Sequence, residues 1–237
     1  MSLEIIAHRG ASGTRPENTL PAFLRAVELD AHMIELDVQL SADGAVIVLH
    51  DDTLDRTTSG LGPACARTAE VIAGLDAGAW FAPAFAGTRV PTLAQVLAAV
   101  PIPLNVELKP GSDDGLEART LAVVREAGAL GRVVFSSFDG ARLGRLRALA
   151  PDAELAVLWS RTDVSGAIAR ARGVGARALH IRNGSRAPIG VTAGRAAGLA
   201  VRVWTVNDPR DLPPLARAGV AGIFTDFPER FLHQGQT

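Results

Sequence analysis

Glu35 and Asp37 stand two residues apart in Met-Ile-Glu-Leu-Asp-Val-Gln-Leu, residues 33–40, where Ile34, Leu36, Val38 and Leu40 alternate with Glu35, Asp37 and Gln39. That period of two predicts a strand with one apolar face and one acidic face. Carboxylates side by side repel, and each takes up a proton unless a cation holds it ionised. Asp43-Gly44 then signals a two-residue hairpin turn. A chain folded about that turn pairs 42 with 45, 41 with 46, and so on until Asp37 lies opposite His50. Directly opposed residues share a face, with Cβ atoms roughly 4.5–5.5 Å apart. Glu35, Asp37 and His50 thereby converge, and the chemistry they offer is a divalent-metal site with a histidine beside it. A solvent-facing strand with a hydrogen-bonded histidine is the plain alternative.

The elements that must position these residues follow from the rest of the chain. A strand at 3–8 precedes a loop containing Pro16-Glu17-Asn18-Thr19, where Asn18 or Thr19 caps a helix running to about Asp30. After the acidic strand and its hairpin, residues 51–91 are dense in turn signals. A structureless loop of that length is rare in a compact domain, so an insertion or small subdomain is predicted there. Trp80, Phe81 and Phe85 are candidates for its private core. From Thr92 onward, helices are predicted over 92–100, 115–128, 139–149, 163–172, 191–198 and 209–218, with a last one from about Pro228. Strands over 104–109, 133–136, 155–159, 178–181, 201–206 and 222–225 alternate with them. With the returning hairpin arm set aside as a lid, eight strands are each followed by a helix. That pattern means parallel strands with helical crossovers, closing into a (β/α)8 TIM barrel, α/β in class. An open doubly wound sheet would call for a Gly-rich phosphate loop after the first strand, where His8-Arg9-Gly10 stands instead. The 237 residues suit one barrel domain over 1–237 with the insertion at about 51–91, close to the roughly 250 of such barrels.

Barrel enzymes carry their function at the C-terminal strand ends. In this chain the first strand ends in His8 and Arg9, the second carries Glu35 and Asp37, and the third Glu107 and Lys109. The fourth ends in Ser136-Ser137-Phe138-Asp139, the seventh in Trp204-Thr205-Val206-Asn207 and the eighth in Thr225-Asp226. Glu35, Asp37 and Glu107, with no thiolate, make an all-oxygen set for a hard cation, Mg2+ or Ca2+. Arg9 and Lys109 beside that cation are an excess of positive charge that a phosphate resolves, since its oxygens satisfy metal and side chains together. His8 and His50 titrate near neutrality and suit a proton donor and acceptor. His50, on a hairpin that can move over a leaving group, is taken as the donor. Trp204 can pack or form a platform, and is placed with Arg9 and Lys109 among the substrate-binding residues. His180, near the end of the sixth strand, reads as structural or peripheral. Singly, His8 also reads as a buried structural histidine, Arg9 as a rim ion pair and Glu107–Lys109 as a mutual pair. Convergence on one end of one barrel is what favours a site.

Composition narrows the partners. A net charge of −1 argues against nucleic acid, and no apolar run approaches a membrane span, so no stable membrane insertion is expected. One cysteine, Cys65, excludes an intrachain disulfide, and Glu4 interrupts any secretory leader, which together point to a cytoplasmic protein of undetermined oligomeric state. Of the 24 cationic residues, Lys109 is the single lysine. A chain that otherwise uses arginine keeps lysine two positions from a proposed metal ligand.

These motifs, namely His8-Arg9-Gly10, Pro16-Glu17-Asn18-Thr19, Glu35-Leu36-Asp37-Val38, His50-Asp51 with Thr53-Leu54-Asp55-Arg56-Thr57-Thr58, Glu107-Leu108-Lys109, Ser136-Ser137-Phe138-Asp139 and Trp204-Thr205-Val206-Asn207, resemble in order the glycerophosphodiester phosphodiesterase family. The resemblance implies a barrel with an insertion after the hairpin, and metal-dependent cleavage of glycerophosphodiesters to glycerol 3-phosphate and an alcohol. It implies Glu35, Asp37 and Glu107 as metal ligands and His8 with His50 as the acid–base pair. A substrate hydroxyl next to the phosphorus would attack, giving a cyclic phosphate that water opens. One departure is Phe227, between Asp226 and Pro228, where the family often has a polar residue. Two competing activities are a lysophospholipase D-type cleavage by the same site and non-catalytic binding of a phosphate ligand. The latter is expected to lose a histidine or a metal carboxylate, and none is missing.

Overall fold

The computed structural model of the chain describes residues 3–109 and 115–232. Within them lie nine strands: β1 Glu4–His8, β2 Met33–Leu40, β3 Val46–Val48, β4 Leu104–Leu108, β5 Val133–Ser137, β6 Glu154–Trp159, β7 Ala178–Arg182, β8 Ala200–Trp204 and β9 Gly222–Thr225. All but β3 pair in parallel in the order β1-β9-β8-β7-β6-β5-β4-β2, and β1 pairs with β2 to close an eight-stranded ring. Helices α1 Leu20–Glu28, α3 Leu93–Ala99, α4 Leu116–Glu126, α5 Gly140–Leu149, α6 Ser165–Val174, α7 Ala187–Ala196, α8 Leu212–Ala218 and α9 Glu229–Leu232 follow the barrel strands, and α2 Ala69–Ala73 lies in the insertion. The expected (β/α)8 barrel is the observed fold.

The alternation in each strand decides which residues face the ring. Ile34, Leu36 and Val38 point outward and join Phe23, Val106, Phe135, Leu155 and Leu179 in the layer between strands and helices. Burying one such side chain contributes about 1.5–3 kcal/mol, so this outer layer carries most of the ring's stability. The ring's lower interior is also apolar, filled by Ile6, Met33, Val134, Ala156, Ala178 and Phe224. Polar residues are left for the upper interior, above that floor.

Several local expectations change in the folded chain. The hairpin closes through three residues rather than two. The Ser41 N–H donates to the Ala45 carbonyl and the Ala45 N–H to Ser41 Oγ, Gly44 takes φ +78, and Val38, Gln39 and Leu40 pair with Val48, Ile47 and Val46. A left-handed glycine at the third loop position is the signature of a three-residue hairpin. The register is therefore one residue off the expected one, and Leu49, not His50, bonds across to Asp37. Asn18 is not a helix cap: Thr19 holds that position, with no capping bond from its side chain. Helix α7 begins at Ala187, earlier than the expected 191, because Pro188 falls in its first turn, where a missing N–H costs nothing. The insertion's core is aliphatic, made of Ile47, Leu49, Leu54, Ala64, Ile72, Ala77 and Val90. Trp80, Phe81 and Phe85 are not that core; they stack edge to face at its surface, with Trp80 41% exposed.

Candidate active site

The C-terminal ends of β1, β2, β4, β8 and β9 meet around one cavity, lined by His8, Arg9, Glu35, His50, Asn105, Glu107, Lys109, Phe138, Leu158, Trp204 and Phe224. Glu35 and Asp37 face it because β2 alternates, and Glu107 does because Asp37 and Glu107 are direct partners across β2 and β4. All three are at least nine-tenths buried, and oxygens from each lie within 4.8 Å of one another.

Three carboxylates buried this closely are electrostatically unbalanced. Burial, with Asp37 and Glu107 nearby, pushes Glu35 up to about 8. Glu107 is also raised, first by burial and then by Asp37. For Asp37 burial acts upward, yet Lys109 and Arg9 outweigh it and hold the carboxyl below its usual range. The Lys109 ammonium pairs with Asp37 Oδ1 at 2.8 Å and donates to Glu107 Oε1 at 2.9 Å, which gives two of the three a counter-charge. An all-oxygen set with a residual negative charge fits a divalent hard cation.

Arg9 is gripped from several sides. Its backbone takes φ +55, at a cost of roughly 1–3 kcal/mol for a non-glycine residue. In return its N–H donates to Glu35 Oε2 at 2.9 Å, and its guanidinium reaches Glu17 at 2.8 Å and Asp37 at 3.4 Å. Gly10 follows at φ +83, and a Cβ there would meet the Ala22 backbone at 2.6 Å, so the turn lets α1 pack directly beneath the site. Asn18, also left-handed, donates to Asp37 Oδ2 at 2.8 Å and accepts from the Asp37 N–H at 3.3 Å. The signal for that role in the sequence is Asn18 itself within Pro16-Glu17-Asn18-Thr19, since asparagine tolerates a left-handed backbone better than most residues.

Each histidine is oriented by a carboxylate. His8 Nδ1 donates to Asp226 Oδ1 at 2.7 Å, and Asp226 is itself held by Asn207 at 2.6 Å and Ser12 at 3.1 Å. His8 Nε2 is thereby turned toward Glu35, 3.9 Å away. Burial acts to lower the His8 pKa, but the Asp226 bond and the Glu35 charge outweigh it, leaving the pKa above the usual 6.5. His50 Nδ1 donates to Asp51 Oδ1 at 2.6 Å. Arg56 clamps Asp51 to Glu17, and the Gln39 amide bonds the carbonyls of Leu49 and Asp51 at 3.0 and 2.7 Å. Thus His50 reaches the cavity although the expected register fails, because the strand ends at Val48 and Gln39 steers the segment beyond it. Burial lowers the His50 pKa.

The structure brings together all the residues singled out from the motifs: His8, Arg9, Glu35, Asp37, His50, Glu107, Lys109 and Trp204. Trp204 both packs and lines the cavity, its ring edge to face with Phe138 at 5.7 Å. Asp226, Gln39, Asn18, Arg56 and Asn105 complete the set, the last donating to Ser136 Oγ at 2.9 Å. His180 is 1% exposed below the cavity, with neither ring nitrogen hydrogen-bonded among the described residues.

Residues 8–230 match the model of the glycerophosphoryl diester phosphodiesterase family. A glycerophosphodiester phosphodiesterase of Caldanaerobacter subterraneus subsp. tengcongensis is 38% identical, the match covering 98% of each chain. One of the same name from Bacillus subtilis is 34% identical over 95% of this chain and 84% of its own. Among solved structures, a phosphodiesterase of Oleispira antarctica in complex with the product sn-glycerol-3-phosphate superposes with a TM-score of 0.88 at 31% identity, covering 96% and 94% of the two chains. A glycerophosphodiester phosphodiesterase of Agrobacterium tumefaciens superposes with a TM-score of 0.81 at 31% identity, covering 98% and 99%.

Proposed function

The chain belongs to the glycerophosphoryl diester phosphodiesterase family and is an enzyme that hydrolyses glycerophosphodiesters, and from that premise we propose that it works through a divalent cation and a pair of histidines. Glu35, Asp37 and Glu107 would hold the cation, Mg2+ or Ca2+. A cation there supplies Lewis-acid polarisation of the phosphoryl oxygens and charge neutralisation. Arg9 and Lys109 add hydrogen-bond donors to the same phosphate and fix its orientation. Trp204 borders the substrate on the opposite wall.

His50, with a lowered pKa, is neutral near pH 7 and takes the proton from the attacking hydroxyl at Nε2. His8, with a raised pKa, keeps its proton to higher pH than His50 and gives it to the departing alkoxide. This assigns the two roles the other way round from the hairpin-based expectation, on the environment of each ring. Asp226 and Asp51 each fix one tautomer, keeping Nε2 toward the reacting atoms. The two half-reactions then exchange roles: His50 returns its proton as the second alcohol oxygen leaves, and His8 activates water.

The observation that carries this reading is the pair of Asp-held histidines flanking three buried carboxylates in one cavity. Turnover of glycerophosphocholine and glycerophosphoethanolamine should require added Mg2+ or Ca2+ and stop with chelator. Full activity in chelator would remove the cation from the proposal.

A further inference from the structure

The catalytic face of the barrel carries a second concentration of charge. Arg161, in the loop after β6, and Arg182 and Arg186, at the end of β7 and before α7, line a cavity of about 250 Å3 together with Ser160, Thr162 and Asn183. All three arginines are exposed, and among the described residues none is paired with a carboxylate. Arg161 merely overlies the Trp159 ring at 5.6 Å. Some arginines elsewhere are committed, Arg202 to Glu4 at 2.6 Å, Arg56 to Glu17 and Asp51, and Arg147 to the carbonyls of Pro151, Ala153, Val174 and Gly175. Among the described residues, Arg67, Arg119, Arg172 and Arg217 are as unpaired as these three but line no common cavity with one another. Three guanidinium groups left without counter-charge around one concavity repel one another and raise the local concentration of anions.

Their position connects them to the reaction. Arg182 is the direct partner of Trp204 across β7 and β8, and the Asn183 N–H donates to the Trp204 carbonyl at 2.6 Å. Neighbouring strands are about 4.8 Å apart, and Trp204 lines the catalytic cavity. Arg182 also continues the inward register of Ala178 and His180, so it stands on the lip of the ring. The catalytic cavity measures only about 70 Å3. The leaving half of a diester must therefore extend beyond it, and Trp204 with its β7 partner Arg182 marks one side on which it can do so.

Resting on the phosphodiesterase reading above, we propose that the Arg161–Arg182–Arg186 cavity is a subsite for a phosphate monoester carried by the leaving alcohol of the substrate. Guanidinium forks match phosphate oxygens two at a time, which a neutral or cationic headgroup cannot exploit. Binding energy spent this far from the scissile bond favours such substrates in kcat/KM.

A matched pair of substrates, glycerophosphoinositol 4-phosphate and glycerophosphoinositol, isolates the extra phosphate. For the wild-type enzyme, kcat/KM is expected to be about tenfold or more higher for the phosphorylated member, what one charge-assisted bond supplies. The gap should narrow as salt is raised. In an Arg182→Gln, Arg186→Gln double variant the pair should become equal while glycerophosphoinositol turnover is unchanged. Equal rates in the wild type, or a variant slowed equally on both substrates, overturn the subsite. Calorimetric titration with inositol 1,4-bisphosphate gives a readout independent of turnover: about tenfold weaker binding is expected in the variant, and no binding to the wild type overturns the subsite. If neither inositol substrate turns over while glycerophosphocholine does, the leaving-group assignment fails and the phosphodiesterase reading stands; if none of the three turns over, it is that reading that fails.

Discussion

His8 and His50 are held by the same bond and by opposite architectures. Each Nδ1 donates to an aspartate, at 2.7 Å for His8 and 2.6 Å for His50. The His8 half is made of strand ends, β1 beside β2 and β9, with Asp226 itself fixed by Asn207 and Ser12. The His50 half hangs from the end of a three-residue strand and is secured by the exposed Asp51–Arg56–Glu17 clamp and the Gln39 amide. Burial penalises the charged form of both rings. For His8 the Asp226 bond and the buried Glu35 outweigh that penalty, whereas for His50 the pull of Asp37 is countered by Lys109 and Arg9. On the proposed mechanism one residue type thus serves as donor in the ring and as acceptor on the hairpin.

Asp37 belongs to both halves, touching Arg9, Asn18 and Lys109, and its loss should break the contrast altogether. Asp37→Asn is expected to abolish metal-dependent turnover in a protein that retains its circular dichroism. Unchanged activity and metal dependence would remove Asp37 from the ligand set. Replacing either histidine with alanine should reduce kcat by roughly 10²–10⁴. A substrate with a nitrophenolate leaving group should rescue His8→Ala and not His50→Ala, because a good leaving group needs no proton. Rescue of the opposite variant would exchange the two roles, and rescue of neither would end the division of labour.

Lys109 tests whether the positive charge merely balances Asp37 and Glu107. As a simple ion-pair partner it would tolerate Lys109→Arg, whose charge is the same. As a compact phosphate donor it would not, since the planar guanidinium displaces the phosphate. The expected loss in kcat/KM is about 10²-fold with metal affinity little changed, the scale of a 1 Å misplacement. Wild-type kinetics would reduce Lys109 to charge balance.

The two aspartates sharpen the contrast through pH. Activity should rise as His50 loses its proton below pH 6.5 and fall as His8 loses its proton above it. Asp226 raises the His8 pKa, so Asp226→Asn should move the alkaline limb to lower pH and narrow the profile. Asp51 raises the His50 pKa, so Asp51→Asn should move the acid limb to lower pH and widen it. Movement of the same limb by both variants, or of both limbs by either, would show that the rings do not titrate separately.

The smallest effect is expected beneath both halves, at His180. Its burial holds the pKa well below 6.5, so below pH 6.5 the unfolded chain takes up a proton that the native ring refuses. Stability supplied by the neutral ring is present above pH 6.5 and is lost as the pH falls. His180→Phe should leave Tm at pH 7.5 nearly unchanged and flatten its decline between pH 6.5 and 5. An equally steep decline in the variant would place that pH dependence elsewhere.

Alternation in β2 was enough to tell from sequence that Glu35 and Asp37 share a face, because the strand period is a local property of the chain. The regular succession of strand and helix similarly declared eight parallel units, and with them the end of the ring where His8, Glu107, Lys109 and Trp204 collect. Which partner each of those side chains meets was not legible. The hairpin register turned on whether Ala42 joined the turn, a matter of one left-handed glycine, and Leu49 rather than His50 came to face Asp37. Asp226 meets His8 across 218 residues only because the ring closes between β9 and β1. Asn18, which reads locally as a helix cap, is bonded instead to Asp37 once α1 packs under the turn at Gly10. Periodicity and motif order are written residue by residue, whereas hydrogen-bond partners, pKa direction and the arginine-lined cavity depend on how far loops reach and how completely the ring excludes water, quantities that exist only once the chain has closed.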